Sequence, residues 1–444
     1  MGQKTPIPTF GKKYGPVYTI YMGTEPVVVL CSCDAVKEAL NERGEEFAAR
    51  GHMPLLDKIS SGGHGVVGSN GERWKQLRRF SLMILRNFGM GKRSIEERIQ
   101  EEAQFLNEEF KKTNTQPVDP TFYFSNAVSN VICSVVFGDR FEYEDKEFLR
   151  LLSLLHELFR GVSSIWGQMY NVYPKIVGQL PGPHNKLFHA LESIKEFITE
   201  KIKNHKETLD LSSPRDFIDC ILIKMEQEKD NLDTEFHMDG AVNTTFDLFA
   251  AGTETVSTTL RYGLLILLKH PDVEEHIHKE IDQVIGHNRA PSIEDRSKMP
   301  YTDAVIHEIQ RFIDLIPLGL PHKVNSDVIF RDYVIPKGTT VYPLLSSVLR
   351  DPKQFKFPDK FNPSHFLDEN GKFQRNDGFM PFSLGKRICA GEGLARMELF
   401  LFISTILQNF TLRSSLDIEE LDLSPELSGF GNVPHPYKIC FIQR

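Results

Sequence analysis

The stretch FSLGKRICAG, residues Phe382 to Gly391, constrains this chain more than any other. It sets one cysteine, Cys389, among glycines, with Arg387 two residues before it and the apolar run LARMELFLFISTIL after Gly393. Gly385, Gly391 and Gly393 allow a tight turn and a close approach to a flat partner. The apolar run predicts a helix over 391–409 whose N-terminal dipole points at the sulfur. A thiol must become a thiolate before it ligates a metal, and backbone amides, a helix N-terminus or a nearby cation all favour that form. Arg387 supplies a permanent cation with forked donors suited to a carboxylate. Phe382 supplies an aromatic wall against water. Read alone, a single cysteine is equally what a buried structural thiol looks like, so its meaning rests on the rest of the chain.

Phe382, Gly385, Arg387, Cys389 and Gly391 occupy all five fixed positions of Phe-x-x-Gly-x-Arg-x-Cys-x-Gly. The stretch therefore resembles the haem-binding signature of the cytochrome P-450 superfamily. The wording through GEGLARMELF resembles the vertebrate microsomal drug- and steroid-metabolising family 2, and the similarity runs from about Tyr14 to Gln443. The resemblance implies a haem-thiolate monooxygenase in which Cys389 is the axial ligand of the iron of haem b. It also implies O2 as co-substrate, NADPH electrons through an external reductase, and cytochrome b5 as a second donor. The implied fold is mainly α with small β-sheets, haem lying between the long central helix and the cysteine loop.

Composition agrees with this. No Gly/Ser/Pro linker, repeat or low-complexity tract divides the 444 residues, so one catalytic domain over 1–444 is expected. The net charge of −8 argues against nucleic acid as a partner. Six scattered cysteines fit a reducing compartment better than a disulfide framework. There is no run of about 20 apolar residues that could span a bilayer. Members of the resembled family carry an N-terminal anchor and a proline-rich hinge. The opening MGQKTPIPTFGKKYG is accordingly read as an engineered or truncated form of a protein of the endoplasmic-reticulum membrane, cytosolic face.

Periodicity predicts further helices over 95–113, 186–205 and 239–270. The β-branched runs VYTIY and PVVVL predict a hairpin over 17–30, and DVIF, YVIP and TTVYP predict short strands between 327 and 343. Inside the longest helix, AAGTETVST spans Ala250–Thr258. Ala251, Gly252, Glu254 and Thr255 resemble the family's oxygen-activation motif. An alcohol both donates and accepts, and an acid passes protons from solvent, while small residues leave room beside them. The alternative is a helix threonine bonded back to a carbonyl four residues earlier, with Glu254 on a solvated face.

HEIQR places Glu308 and Arg311 three apart on one helix face, where they can pair. The pair resembles the family's buried Glu-x-x-Arg; His365, in PSHF, stands where a third arginine is usual. By the same resemblance Trp74, Arg78, His322 and Arg387 would hold the haem propionates. His64, Val67, Phe246, Asp247, Ala251, Ile316, Leu320 and Phe430 would line a pocket for a lipophilic small molecule, with Gly68 leaving room at its edge. Residues 170–188 mix aromatics, aliphatics and prolines and read either as a membrane-contacting access lid or as a surface loop packed on its own domain. Arg73, Lys75, Arg79 and Lys386 are candidate contacts for the reductase. A haem-thiolate isomerase or dehydratase of lipid hydroperoxides, and a non-catalytic haem or lipid binder, are the competing functions.

Overall fold

The computed structural model describes residues 6–89 and 93–444. The four expected helices lie at Arg93–Lys112, His184–Glu207, Met238–Lys269 and Glu392–Asn409. The Met238–Lys269 helix is the axis of the molecule. Its 32 residues reach about 48 Å at the usual rise. Every residue from Val256 to Leu268 is buried, as a helix apolar on all faces requires. It stops at His270 because Pro271 disfavours the helical backbone in the residue before it.

Packing around this axis explains two glycines. A Cβ on Gly252 would lie 2.9 Å from Ile132 of the neighbouring Thr121–Val136 helix. Gly252 thus serves helix packing and not, as expected from sequence, open space above a cofactor. A Cβ on Gly68 would lie 2.6 Å from the Ser60 Cβ, so this glycine too answers a close contact and does not mark an enlarged pocket.

The predicted hairpin forms from Val17–Met22 and Glu25–Leu30. It extends into a five-stranded sheet through Thr340–Pro343, His322–Lys323 and Ala49–Arg50. The register sets Arg50 opposite His322, which places two basic side chains on one rim of the sheet. Val328–Phe330 and Tyr333–Ile335 form a separate hairpin.

Glu308 and Arg311 lie on the Pro300–Ile313 helix, and both are fully buried. The guanidinium gives two hydrogen bonds of 2.7 Å to the carboxylate. Its remaining donors go to the carbonyls of Leu349, Pro358 and Lys360. Glu308 Oε1 accepts from Asn362 N, and His365 Nδ1 stands 3.2 Å from both carboxylate oxygens. The ion pair thereby pins the irregular chain that leads to the cysteine loop, with His365 in the place expected for it.

Residues 170–188 are helical except at Tyr173 and over 178–183. They include the end of the Ile165–Val172 helix, the short helix Pro174–Val177 and the start of His184–Glu207. Trp166 stacks on His184 and Tyr170 meets Phe188 edge-on, whereas Ile165, Tyr173 and Ile176 face solvent. No helix among the described residues is long and apolar enough to cross a membrane.

Candidate active site

The cysteine loop begins with a steric requirement. Gly385 has φ +70°, and a Cβ there would lie 1.8 Å from the Leu40 carbonyl oxygen, so only glycine fits. The Cys389 N–H then donates to the Phe382 carbonyl at 3.0 Å, closing the loop just before the Glu392–Asn409 helix. Cys389 is accessible even though protein surrounds it on nearly every side, which is the signature of a residue facing an internal space. Burial raises the thiol pKa, and the Glu392 charge adds to that. The Gly391 and Glu392 amides and the Arg78 cation act the other way without winning. A coordinating metal cation would replace the proton of a thiol held like this, releasing it to water.

Around the loop stands a cluster of cations. Arg387 is buried, with Nε on the Ala48 carbonyl at 2.7 Å and Nη2 on the Ser69 carbonyl at 2.8 Å. Its guanidinium lies 3.9 Å from the Trp74 ring centroid. Arg78 Nη2 donates to the carbonyl of Ile388, the residue before the cysteine, at 2.5 Å. Burial, Arg50 and Arg78 together depress the Arg387 pKa. Burial, with Arg50 and Arg387 nearby, pushes His322 down to about 3, so its imidazole is neutral and donates its Nδ1–H to the Phe47 carbonyl at 2.7 Å. Crowded cations call for anions. Trp74 Nε1 and Arg387 Nη1 are buried donors lacking an acceptor among the described residues. The four expected propionate residues are therefore brought together, and their donor set fits the two carboxylates of a haem.

On the central helix, adjacent residues point about 100° apart, and this separates the acid from the alcohol. Ala251 is exposed and Thr255 half-buried on one face, although the helix lies inside the protein. The Thr255 hydroxyl donates back to the Ala251 carbonyl at 2.7 Å, four residues earlier, as the alternative reading of this threonine has it. Its lone pairs remain free to accept. Glu254 is buried, so the solvated-face alternative fails for it. Its Oε2 lies 3.7 Å from His156 Nδ1 on the Lys146–Ser163 helix, and its Oε1 has no partner among the described residues.

The expected pocket residues fall in two groups. His64 caps the short Gly65–Gly68 helix, where Val67 N–H donates to Asp247 Oδ2 at 2.8 Å. Asp247 is thus committed to holding this roof against the central helix and is not a free polar anchor. Phe246 is buried beside it, with Lys195 Nζ 5.7 Å from its ring. Phe430 meets Phe159 at 6.4 Å. Its turn is tied to the 313–320 segment, which carries Ile316 and Leu320, by Asn432 N–H donating to the Leu315 carbonyl at 2.8 Å.

A family model for cytochrome P450 matches residues 6–441. The chain is 57% identical over 433 residues to cytochrome P450 2G1 of Oryctolagus cuniculus, covering 98% of this chain and 87% of that protein. It is equally 57% identical over 433 residues to cytochrome P450 2C8 of Homo sapiens, covering 98% and 88%. The chain belongs to the cytochrome P450 family. Haem-thiolate chemistry with O2, electrons supplied by a reductase, and monooxygenation of lipophilic molecules come with that membership.

In this cytochrome P450 the basic residues expected to meet the reductase are mostly paired internally. Arg73 binds Glu235 at 2.7 Å, Lys75 binds Glu72 at 2.7 Å, and Lys386 pairs with Glu45. Sequence reading missed three contributors. Arg50 joins the cation cluster and donates from Nε to the Val67 carbonyl at 3.1 Å; nothing in EEFAARG marks it. Asn70 Oδ1 accepts from Arg50 N at 2.6 Å and Arg387 Nη2 at 3.1 Å. His156 was legible as the polar interruption of the apolar stripe Leu152, Leu155 and Phe159.

Proposed function

We propose that Cys389 is the axial ligand in a single catalytic unit that oxygenates drug-like, steroid or fatty-acid type molecules at the endoplasmic-reticulum membrane, on its cytosolic face. When bound, the haem supplies activation of O2 and transfer of one of its oxygen atoms. The observation that carries the reading is Cys389, accessible yet enclosed, beside buried donors suited to carboxylates. Trp74, Arg78, Arg387 and Arg50 hold those carboxylates. With Nδ1 donating to Phe47, His322 can donate from Nε2 only as imidazolium, the form a neighbouring anion favours.

Thr255 accepts a proton at Oγ1 and passes it on, and Glu254 holds the proton that replaces it. Because the two side chains diverge, a bridging water or a turn of the Glu254 side chain completes the path. His64, Val67, Phe246, Ala251, Ile316, Leu320 and Phe430 supply mostly apolar walls, so the substrate is held mainly by burial. The exposed apolar residues Tyr173 and Ile176, with Ile165 just before the segment, support membrane contact by residues 170–188. Tyr173 and Ile176 line a cleft of about 660 Å³ together with Met22, Met53 and Tyr342. Electrons come from NADPH-cytochrome reductase, with cytochrome b5 as a second donor. Arg79 is the candidate contact with no acid partner among the described residues.

The ferrous carbon monoxide spectrum tests the ligand. The thiolate-shifted Soret band is expected for the native protein and its loss for Cys389→Ser; a Cys389→Ser protein that keeps the band refutes the assignment. NADPH-dependent product formation with the reductase separates a monooxygenase from a hydroperoxide isomerase or a passive binder.

A further inference from the structure

Behind the cysteine loop, His307 sits in a box of three phenylalanines. The centroids of Phe373, Phe379 and Phe366 lie 4.6, 4.8 and 5.4 Å from its ring. Its Nε2 is 2.7 Å from Arg396 Nη1. A guanidinium has no acceptor, so the imidazole nitrogen must accept, and the ring proton sits on Nδ1. There it donates to the Asp303 carbonyl at 2.7 Å, with the Asp303 carboxylate 3.2 Å away. The tautomer is thereby fixed from both sides, and so is the position of the guanidinium.

Arg396 then touches the cysteine loop twice. Its Nε donates to Glu392 Oε1 at 2.9 Å, and its Nη2 lies 2.8 Å from the same oxygen. Its guanidinium also lies 5.2 Å from the Phe382 ring centroid, and the Phe382 carbonyl is the one that receives the Cys389 N–H. Glu392 opens the Glu392–Asn409 helix three residues after the cysteine, and its charge acts on the Cys389 sulfur in the direction opposite to the helix amides. An acid there favours the helix dipole but crowds a thiolate.

We propose that Arg396, held by His307, is a positioning residue for the thiolate centre: it masks the Glu392 charge from the sulfur and presses Phe382 against the loop, so setting the reduction potential. This rests on Cys389 as the axial ligand. Removing Arg396 leaves an uncompensated carboxylate near a centre that gains one electron on reduction, which disfavours the reduced state. A cleft of about 620 Å³ opens on His307, Glu392 and Arg396, so a leucine at 396 has room.

The test is an equilibrium redox titration of the purified, haem-loaded protein. Arg396→Leu should lower the reduction equilibrium about tenfold, a negative shift of about 59 mV for one electron. Arg396→Lys should shift it less. Adding Glu392→Gln to Arg396→Leu should restore the native value, which a merely structural role for Arg396 would not do. Glu392→Gln alone should shift the potential positive, and this keeps the proposal testable if Arg396→Leu fails to fold. An unchanged potential in Arg396→Leu, a shift undiminished in the double variant, or no positive shift in Glu392→Gln overturns the proposal. The carbon monoxide spectrum is recorded on each variant. An intact thiolate band with an unmoved potential defeats the Arg396 role alone, whereas a native band in Cys389→Ser defeats the ligand assignment beneath it.

Discussion

His156 Nδ1 lies 3.7 Å from Glu254 Oε2, joining a half-buried imidazole on one helix to a buried carboxylate on another. The contact gives Glu254 an imidazole neighbour on a half-buried helix face, while Thr255 faces the internal side. If protons enter this way, both Glu254→Gln and His156→Phe should lower product formed per NADPH, with peroxide rising in its place. Thr255→Ala should do the same, by about tenfold or more if the residue serves general acid–base transfer. Coupling left at the native level in Thr255→Ala would remove its role.

Arg311→Ala leaves Glu308 charged, buried and facing only His365 and the Asn362 amide. Breaking a buried pair of this kind costs about 3–5 kcal/mol. A large drop in Tm, together with lost haem, is expected, since the pair pins the chain entering the cysteine loop. Differential scanning calorimetry checks this, and a change within about 0.5 kcal/mol, as for a surface site, would contradict it.

Arg387→Ala and Arg78→Ala should lower the ratio of haem to protein after purification. Arg387 should matter more, because it is buried and carries an unmet donor, whereas Arg78 already has the Ile388 carbonyl. Full haem occupancy in Arg387→Ala would count against the propionate assignment.

Burial raises Asp247 to about 7, against an ordinary carboxylate value near 4. Between these values the folded protein holds a proton that the unfolded chain has released. The group's contribution is therefore most favourable below about pH 4 and declines until about pH 7. Asp247→Asn keeps an oxygen for the Val67 N–H without titrating. Its Tm should fall less than that of the native protein between about pH 5 and about pH 8; parallel curves would show that Asp247 is ionised throughout.

The helices were legible because long apolar-periodic runs leave few alternatives, and Cys389 because glycine, arginine and cysteine recur there at fixed spacing. What sequence could not supply was direction. Glu254 and Thr255 are neighbours along the chain and diverge around the helix. Gly252 and Gly68 look like open space and are instead close contacts with Ile132 and Ser60. Arg50 reaches the cation cluster only through the register of two two-residue strands, which no local pattern encodes. The charges at Arg73, Lys75 and Lys386 read as a docking face until their acid partners, up to 341 residues away, are seen beside them.

Val67 is gripped through both of its backbone polar groups, its N–H by Asp247 of the central helix and its carbonyl by Arg50 of the cation cluster. The backbone of one residue is therefore shared between the roof over the substrate and the cradle for the cofactor. Selection for a new substrate that reshapes this roof must also answer to haem retention. The two traits cannot drift independently at Val67, and variants altered in specificity there should differ in how firmly they keep their haem.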